Sequence, residues 1–304
     1  MAEVVAEPSA VALLAEAREG VDRLLGEWAD RLAAERPGRI GEALAYALRT
    51  PGKRVRAALV MASYRSVGGR SPAIVGVASA IEIVHTYSLV HDDLPCMDDD
   101  DMRRGRPTTH RQFDVPIATR AGFLLVPVAA RVLSKAVAEL RLPTATLGRL
   151  ASELFEAGGI QGMVGGQWLD LEAERRRLDL DGLIRMHAGK TGALIRAACA
   201  MGGITGGGRG EHVAALTAYG EEIGLAFQIA DDVLDATGTS EALGKTAGRD
   251  AELAKSTYVS LLGVDGAREA AALHARRAVD HLEGAGLRTP ELNGLADFII
   301  TRGH

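Results

Sequence analysis

Two aspartate runs carry the chemistry that this 304-residue sequence could perform. The first reads His91-Asp92-Asp93-Leu94-Pro95-Cys96-Met97-Asp98-Asp99-Asp100-Asp101-Met102-Arg103-Arg104-Gly105. The second reads Gln228-Ile229-Ala230-Asp231-Asp232-Val233-Leu234-Asp235. They lie about 140 residues apart, each at the end of an apolar stretch. Asp231 and Asp235 are four apart, so on a helix their carboxylates leave from one face and repel. A divalent cation offsets that repulsion. Magnesium takes oxygen ligands, keeps several waters and is held by one or two carboxylates plus substrate phosphates. In the first run Asp92 and Asp98 are six apart, about 120° on a helical wheel, and Pro95 between them disturbs a regular helix. The spacing predicts Asp92 and Asp93 in a last helical turn, with Asp98 brought back by a distorted turn. A solvated acidic patch is the plain alternative for either run alone. Two such runs, each closing an apolar helix and flanked by basic residues, point instead to metal and phosphate chemistry.

Such a site needs cations of its own, and the sequence supplies them. Gly52-Lys53-Arg54-Val55-Arg56 sets Lys53 and Arg56 three apart, a spacing that suits one helical face. Arg103 and Arg104 follow the first aspartates directly. Lys190-Thr191 sits in His187-Ala188-Gly189-Lys190-Thr191-Gly192, and Lys245 follows the second run, with Lys255 beyond it. Arginine suits bidentate phosphate contacts, whereas lysine acts as a point charge. Gly189-Lys190-Thr191 lacks the upstream glycine and strand of a nucleotide-binding loop. His85 and His91, each taken alone, read as structural. Cys96 has no partner cysteine at zinc spacing.

The elements that must position these groups are helices. Val11, Leu14, Val21, Leu24, Leu25, Trp28 and Leu32 keep helical spacing. Ile81, Val84, Tyr87, Ser88 and Leu89 predict a helix entering Asp92. Leu183–Ala200 and Ala214–Leu234 predict two more, little broken. No segment shows sustained period-two alternation, so no strand is expected. Breaks fall at 36–38, 68–72, 206–208 and 284–290, as turns between helices rather than linkers. The expectation is one domain, 1–304, of about ten helices.

Bulk properties narrow the function. A net charge of −5 gives no basic field for nucleic acid. Cys96 and Cys199 are too few for a disulfide framework, which predicts a reduced, cytoplasmic setting. The acidic stretch Met1 to Pro8 has no signal-peptide pattern. The uninterrupted apolar runs 121–130 and 197–208 are short against the roughly 20 residues of a membrane span, so none is expected.

The blocks Gly52–Arg56, His85–His110, Gly162–Leu171, His187–Leu194, Phe227–Asp235 and Gly244–Tyr258 together resemble the trans-type polyprenyl diphosphate synthases. That family includes the farnesyl and geranylgeranyl diphosphate synthases. The block at His85–His110 is highly specific, and Phe298 to Arg302 also fits. The resemblance implies an all-α, isoprenoid-synthase-type helical bundle with a deep central cavity, usually a homodimer. It implies that Asp92, Asp93, Asp98, Asp231, Asp232 and Asp235 hold about three magnesium ions. Arg103, Lys190, Thr191, Gln228 and Lys245 would bind an allylic diphosphate. Lys53, Arg56, His85 and Arg104 would bind isopentenyl diphosphate. The sequence departs from the family at Ala57, where proline is common, and at Arg249, where lysine is. It departs again at Ala121-Gly122-Phe123-Leu124-Leu125, where the family often has Gly-Asp; the packing around Phe123 is then unusual and bears on product length.

Tyr87 precedes Asp92 by five residues, about 7.5 Å along a helix. A tyrosine there resembles farnesyl (C15) synthases, with Tyr87 as the floor of the cavity and Ser88 beside it. A C20 product is the alternative. Two other readings are a class I terpene cyclase and a non-catalytic regulatory subunit. The second aspartate run does not have the Asn, Ser or Thr, and Glu pattern of a cyclase, and no residue of the core set is lost as in a silent subunit.

Overall fold

The computed structural model describes residues 8–173, 178–237 and 256–301. Its α-helices are α1 (Pro8–Glu35), α2 (Arg39–Leu48), α3 (Val55–Ser66), α4 (Ile74–Asp92), α5 (Thr109–Gln112), α6 (Val115–Glu139), α7 (Thr144–Gly158), α8 (Met163–Ala173), α9 (Leu180–His187), α10 (Ala193–Thr205), α11 (Gly210–Thr237), α12 (Tyr258–Gly284) and α13 (Pro290–Thr301). One π-turn, Ala188–Gly192, joins α9 to α10. A two-strand hairpin, β1 (Met102–Arg103) with β2 (Arg106–Pro107), pairs antiparallel. The strand expectation therefore fails at one place. The hairpin turns at Arg104 (φ 53°) and Gly105 (φ 75°), and two consecutive positive φ values are what a tight hairpin turn requires. Strands of two residues are too short to show alternation.

The turns at 36–38, 68–72, 206–208 and 284–290 stand where expected. On α1 the buried stripe is Leu13, Ala17, Val21, Leu25, Trp28 and Leu32, while Val11 is 52% exposed. Helical periodicity in the sequence thus identified the element but set its inner face slightly off.

The chain divides into two compact units. One comprises residues 14–61 and 70–152. Here α4, buried along most of its length, packs beside α6. Small residues let the backbones approach: a Cβ on Gly76 would stand 2.6 Å from that of Ala136. Helix α6 starts sharply because Asp114 Oδ1 accepts a hydrogen bond from the Ile117 N–H at 2.7 Å, with a proline in the first turn.

The other unit comprises, among the described residues, 8–13, 62–69, 153–173, 178–237 and 256–301. Helix α11 crosses α10 and the π-turn closely; a Cβ on Gly224 would come within 2.7 Å of the Gly192 Cα. On its other side α11 packs on α12 over Ile229, Val233, Tyr258, Ala267 and Ala271, with Leu183 and Met186 of α9.

Helices α4 and α6 are long and apolar enough, by length and composition, to cross a membrane. The expectation from uninterrupted apolar runs missed them because a helix carries its polar residues along. The protein itself buries 67% of the α4 window and 50% of the α6 window, as in a core helix.

Candidate active site

The first aspartate run is built as its spacing predicts. Helix α4 ends at Asp92, and Asp93 caps it, its N–H still bonded to the Leu89 carbonyl at 3.1 Å. The chain then doubles back: the Asp98 N–H bonds the Asp92 carbonyl at 2.8 Å, with Asp99 left-handed at φ 50°. The hairpin follows and returns Arg103 to the helix end. Arg103 Nε donates to Asp93 Oδ1 at 2.5 Å, and its Nη2 donates to Asp100 Oδ2 at 3.3 Å. Burial pushes the Asp93 carboxyl up to about 6; Arg103 opposes this, and the neighbouring Asp100 and Asp98 add to it.

The cations of the 52–56 run are placed differently from the expectation. Arg54 is left-handed at φ 52°, and α3 begins only at Val55. Lys53 therefore precedes the helix and shares no helical face with Arg56. Arg54 itself is buried, donating to Asp22 Oδ1 at 2.8 Å, Glu82 Oε2 at 3.3 Å and the Thr50 carbonyl at 3.0 Å. Buried Glu82 also accepts from the Ala57 N–H at 3.1 Å, so its negative charge caps the start of α3. Arg54 is thus the post around which exposed Lys53 and half-buried Arg56 are arranged. Arg104 donates to the Pro51 carbonyl and lies over Gly52, where any Cβ would meet its guanidinium at 2.6 Å. His85, one turn before Leu89 on α4, is held well below its ordinary pKa by desolvation first and then by Arg56, Arg104, Arg103 and Arg54. It is a neutral imidazole amid four guanidinium groups. The run 52–56, His85 and the hairpin arginines form one positive corner beside Asp93.

The second run lies in the other unit. Asp231 and Asp235 sit four apart on α11. Asp232 is buried with both oxygens engaged: Oδ1 accepts from Gln228 Nε2 at 3.0 Å and Oδ2 from the Tyr258 N–H at 2.8 Å. Gln228 in turn accepts from Thr191 Oγ1 at 2.9 Å. Lys190 pairs through its Nζ with Asp170 of α8. The helix expected over 183–200, little broken, carries the π-turn at this point, and such bulges are frequent at functional sites. The turn fits because residues 166 and 189 are glycines; a Cβ on Gly166 would stand 2.0 Å from the Lys190 nitrogen. Thr191, Gln228 and Asp232 are thus joined by hydrogen bonds, while Lys190 pairs with Asp170. Lys245 lies outside the described residues.

A family model described as polyprenyl synthetase matches residues 37–283. Farnesyl diphosphate synthase of Geobacillus stearothermophilus is 38% identical over 301 residues, 99% of this chain and 100% of that protein. A chloroplastic geranylgeranyl pyrophosphate synthase of Capsicum annuum is 40% identical over 275 residues, 90% of this chain and 74% of that one. Among solved structures, an FPP/GFPP synthase from Zymomonas mobilis superposes with a TM-score of 0.81 at 37% identity, covering 96% of this chain and 99% of that one. The chain belongs to the polyprenyl synthetase family.

Catalysis in the polyprenyl synthetase family depends on magnesium. Among the described residues no three His, Cys, Asp or Glu side chains converge on a single point. The donor chemistry nevertheless fits the ion: both runs offer carboxylate oxygens, and magnesium takes one or two of these and completes its shell with water and phosphate.

Three side chains escaped sequence reasoning. Asp170 was legible only as part of a block, because its pairing with Lys190 spans 20 residues. Gln167, one turn before it, is buried, and neither of its amide atoms has a hydrogen-bond partner among the described residues. Glu82 stands inside an apolar helix, and a buried charge there was the available signal.

The two residues expected from the sequence to bear on product length, Tyr87 and Ser88, lie just upstream of Asp92. Tyr87 is half-buried, and its ring meets that of His91 edge to face, with centroids 4.9 Å apart. Ser88 donates to the His85 carbonyl at 2.8 Å, which turns its hydroxyl back onto its own helix.

Proposed function

We propose that the chain is a trans-prenyltransferase that condenses isopentenyl diphosphate with dimethylallyl and geranyl diphosphates and releases farnesyl diphosphate. The observation that carries the reaction class is the full-length match to a farnesyl diphosphate synthase, 38% identity across 99% of the chain. Tyr87 at five residues before Asp92 supports the C15 product. C20 is the runner-up.

In this reading Asp92, Asp93, Asp98, Asp231, Asp232 and Asp235 hold the metal, some directly and some through water. About three magnesium ions, when bound, neutralise the diphosphate and stabilise its departure. Lys190, Thr191, Gln228, Arg103 and Lys245 bind the allylic diphosphate, while Asp170 aims Lys190 and buried Gln167 adds a further donor. Lys53, Arg56 and Arg104 bind the diphosphate of isopentenyl diphosphate, with neutral His85 donating rather than adding charge. The allylic C–O bond breaks, the isopentenyl alkene attacks the resulting cation, and a proton leaves to the released diphosphate. The fixed charges need little reorganisation as charge develops. An apolar cavity holds the growing chain and keeps water from the cation.

The protein works as a cytoplasmic homodimer in this reading. Helix α6 supports the dimer. It exposes Phe123 (62%) and Leu124 (41%) on a groove of about 640 Å³ that also includes Leu44 and Val128. A second copy would cover that apolar face.

The test is the purified chain with magnesium, isopentenyl diphosphate and each of three primers, dimethylallyl, geranyl and farnesyl diphosphate, read by mass spectrometry. Extended products establish the synthase, and the longest abundant one separates C15 from C20. A purified protein that extends none of the three sinks the reading.

A further inference from the structure

The ring of Tyr87 does not stand alone. It meets His91 edge to face, and His91 meets Phe123 of α6 the same way, with centroids 5.0 Å apart and planes at 85°. The middle ring is fixed at its far end, where Nε2 lies 3.1 Å from the Thr119 carbonyl. A carbonyl can only accept, so the proton sits on Nε2. The slot the imidazole fills exists because residue 122 is glycine: a Cβ there would lie 2.1 Å from His91 Nε2. Rings packed this way restrain one another through their edges. Phe123 is the one member on the surface, 62% exposed, yet it is the backstop for the two rings behind it.

We infer that Phe123 and His91 are positioning residues that set product length by bracing Tyr87, with Gly122 providing the space for the brace. The inference rests on the proposed synthase activity and on Tyr87 as the floor of its cavity. Without Phe123 the His91 ring gains freedom, the Tyr87 ring loses its support, and a longer chain fits before elongation stops. The side chain of a half-exposed aromatic position thereby selects the product without touching it.

The experiment compares wild type, Tyr87→Ala, Phe123→Ala, Phe123→Tyr, Leu124→Ala and the double variant Tyr87→Ala/Phe123→Ala. Two readouts are taken: the ratio of longer to shorter product, and the His91 ring-proton resonances by NMR. Phe123→Ala is expected to raise the ratio about two- to tenfold, the weight of one edge-to-face contact. It should also shift the His91 resonances. Phe123→Tyr should restore both. Leu124→Ala, on the same groove but outside the stack, should change neither, and the double variant should match Tyr87→Ala alone. Condensation by wild type with an unchanged Phe123→Ala spectrum overturns this inference and leaves the synthase standing. A Leu124→Ala spectrum that moves as far as that of Phe123→Ala overturns it too, because the surface and not the stack would then be responsible. No condensation by wild type overturns the functional reading and this inference with it, while the NMR shifts still report whether the stack exists.

Discussion

Removing the Glu82 carboxylate tests how the cationic corner is built. Glu82 and Arg54 are 3% and 4% exposed and paired at 3.3 Å. Stranding one partner of a buried pair costs roughly 3–5 kcal/mol. Arg54 keeps Asp22 at 2.8 Å and the Thr50 carbonyl, so the lower end, about 3 kcal/mol, applies. Glu82→Ala also uncaps the Ala57 N–H, adding about 1 kcal/mol. The total of about 4 kcal/mol corresponds to a melting point lower by about 6 °C for a chain of this size. Glu82→Gln retains an oxygen for Ala57 and should recover about 1 kcal/mol of that loss. The assay is thermal and denaturant unfolding with the slope checked, because two compact units can unfold apart. The double variant Arg54→Met/Glu82→Leu strands no buried charge, since partly exposed Asp22 keeps Arg18, and should lie within about 1 kcal/mol of wild type. A double variant as unstable as Glu82→Ala, or a single variant within 1 °C of wild type, would refute the buried-pair account. The double variant should still raise the KM for isopentenyl diphosphate, since Arg54 is the post that presents Lys53 and Arg56.

Asp170→Asn should lower kcat/KM for the allylic primer about tenfold, the worth of one charge-assisted hydrogen bond, with the melting point little changed. In the native protein one thiol, exposed Cys96, should react with an aromatic disulfide reagent and two should react in guanidinium; buried Cys199 is pushed up to about 12, and the thiolate is the reactive form. Glu35 bonds Arg131 and Arg31, which lower its carboxyl from 4.5 to about 2. Its folded pKa is the lower one, so its contribution is present above about pH 4.5 and is lost as pH falls toward 2. Calorimetry should show the melting-point gap between wild type and Glu35→Gln constant from neutral pH to about 5 and closing toward 2.

What was legible in the sequence follows from the range of the forces involved. The helices, the turn that returns Asp98 to Asp92 and the four-residue spacing of Asp231 and Asp235 on α11 depend on neighbours a few residues away. The π-turn at Ala188–Gly192 was not legible, because it is held by the approach of Gly166 from another helix. The left-handed Arg54 was missed for a similar reason. Its strain is sustained by Asp22 and Glu82, each about 30 residues distant, and it carries Lys53 off the helix that spacing alone suggested. The hairpin at Met102–Pro107 is fixed by Thr108, whose hydroxyl bonds the Asp100 carbonyl at 2.7 Å, and not by any pattern in its four strand residues.

The same chemistry that strains the first aspartate run separates stability from function there. Asp93 is 3% exposed, and its carboxyl is pushed up to about 6 because burial and two neighbouring carboxylates disfavour its charge. A raised folded pKa in an acid means that stability declines as pH rises from its ordinary 3.8 through about 6, so at neutral pH the ionised group opposes folding. Asp93→Asn keeps the shape and an oxygen for Arg103 but removes that charge. In metal-free buffer at pH 7.5 it should therefore melt at least as high as wild type. Glu82→Gln, which also trades a buried carboxylate for an amide, should melt lower, because Glu82 neutralises Arg54 and caps the start of α3, whereas at Asp93 burial outweighs the pairing with Arg103. If Asp93 holds metal, the same variant should lose turnover by about 10²-fold or more, the scale of one lost electrostatic contact to the leaving group. A variant that is both less stable and fully active would reverse the assignment and make Asp93 a structural acid.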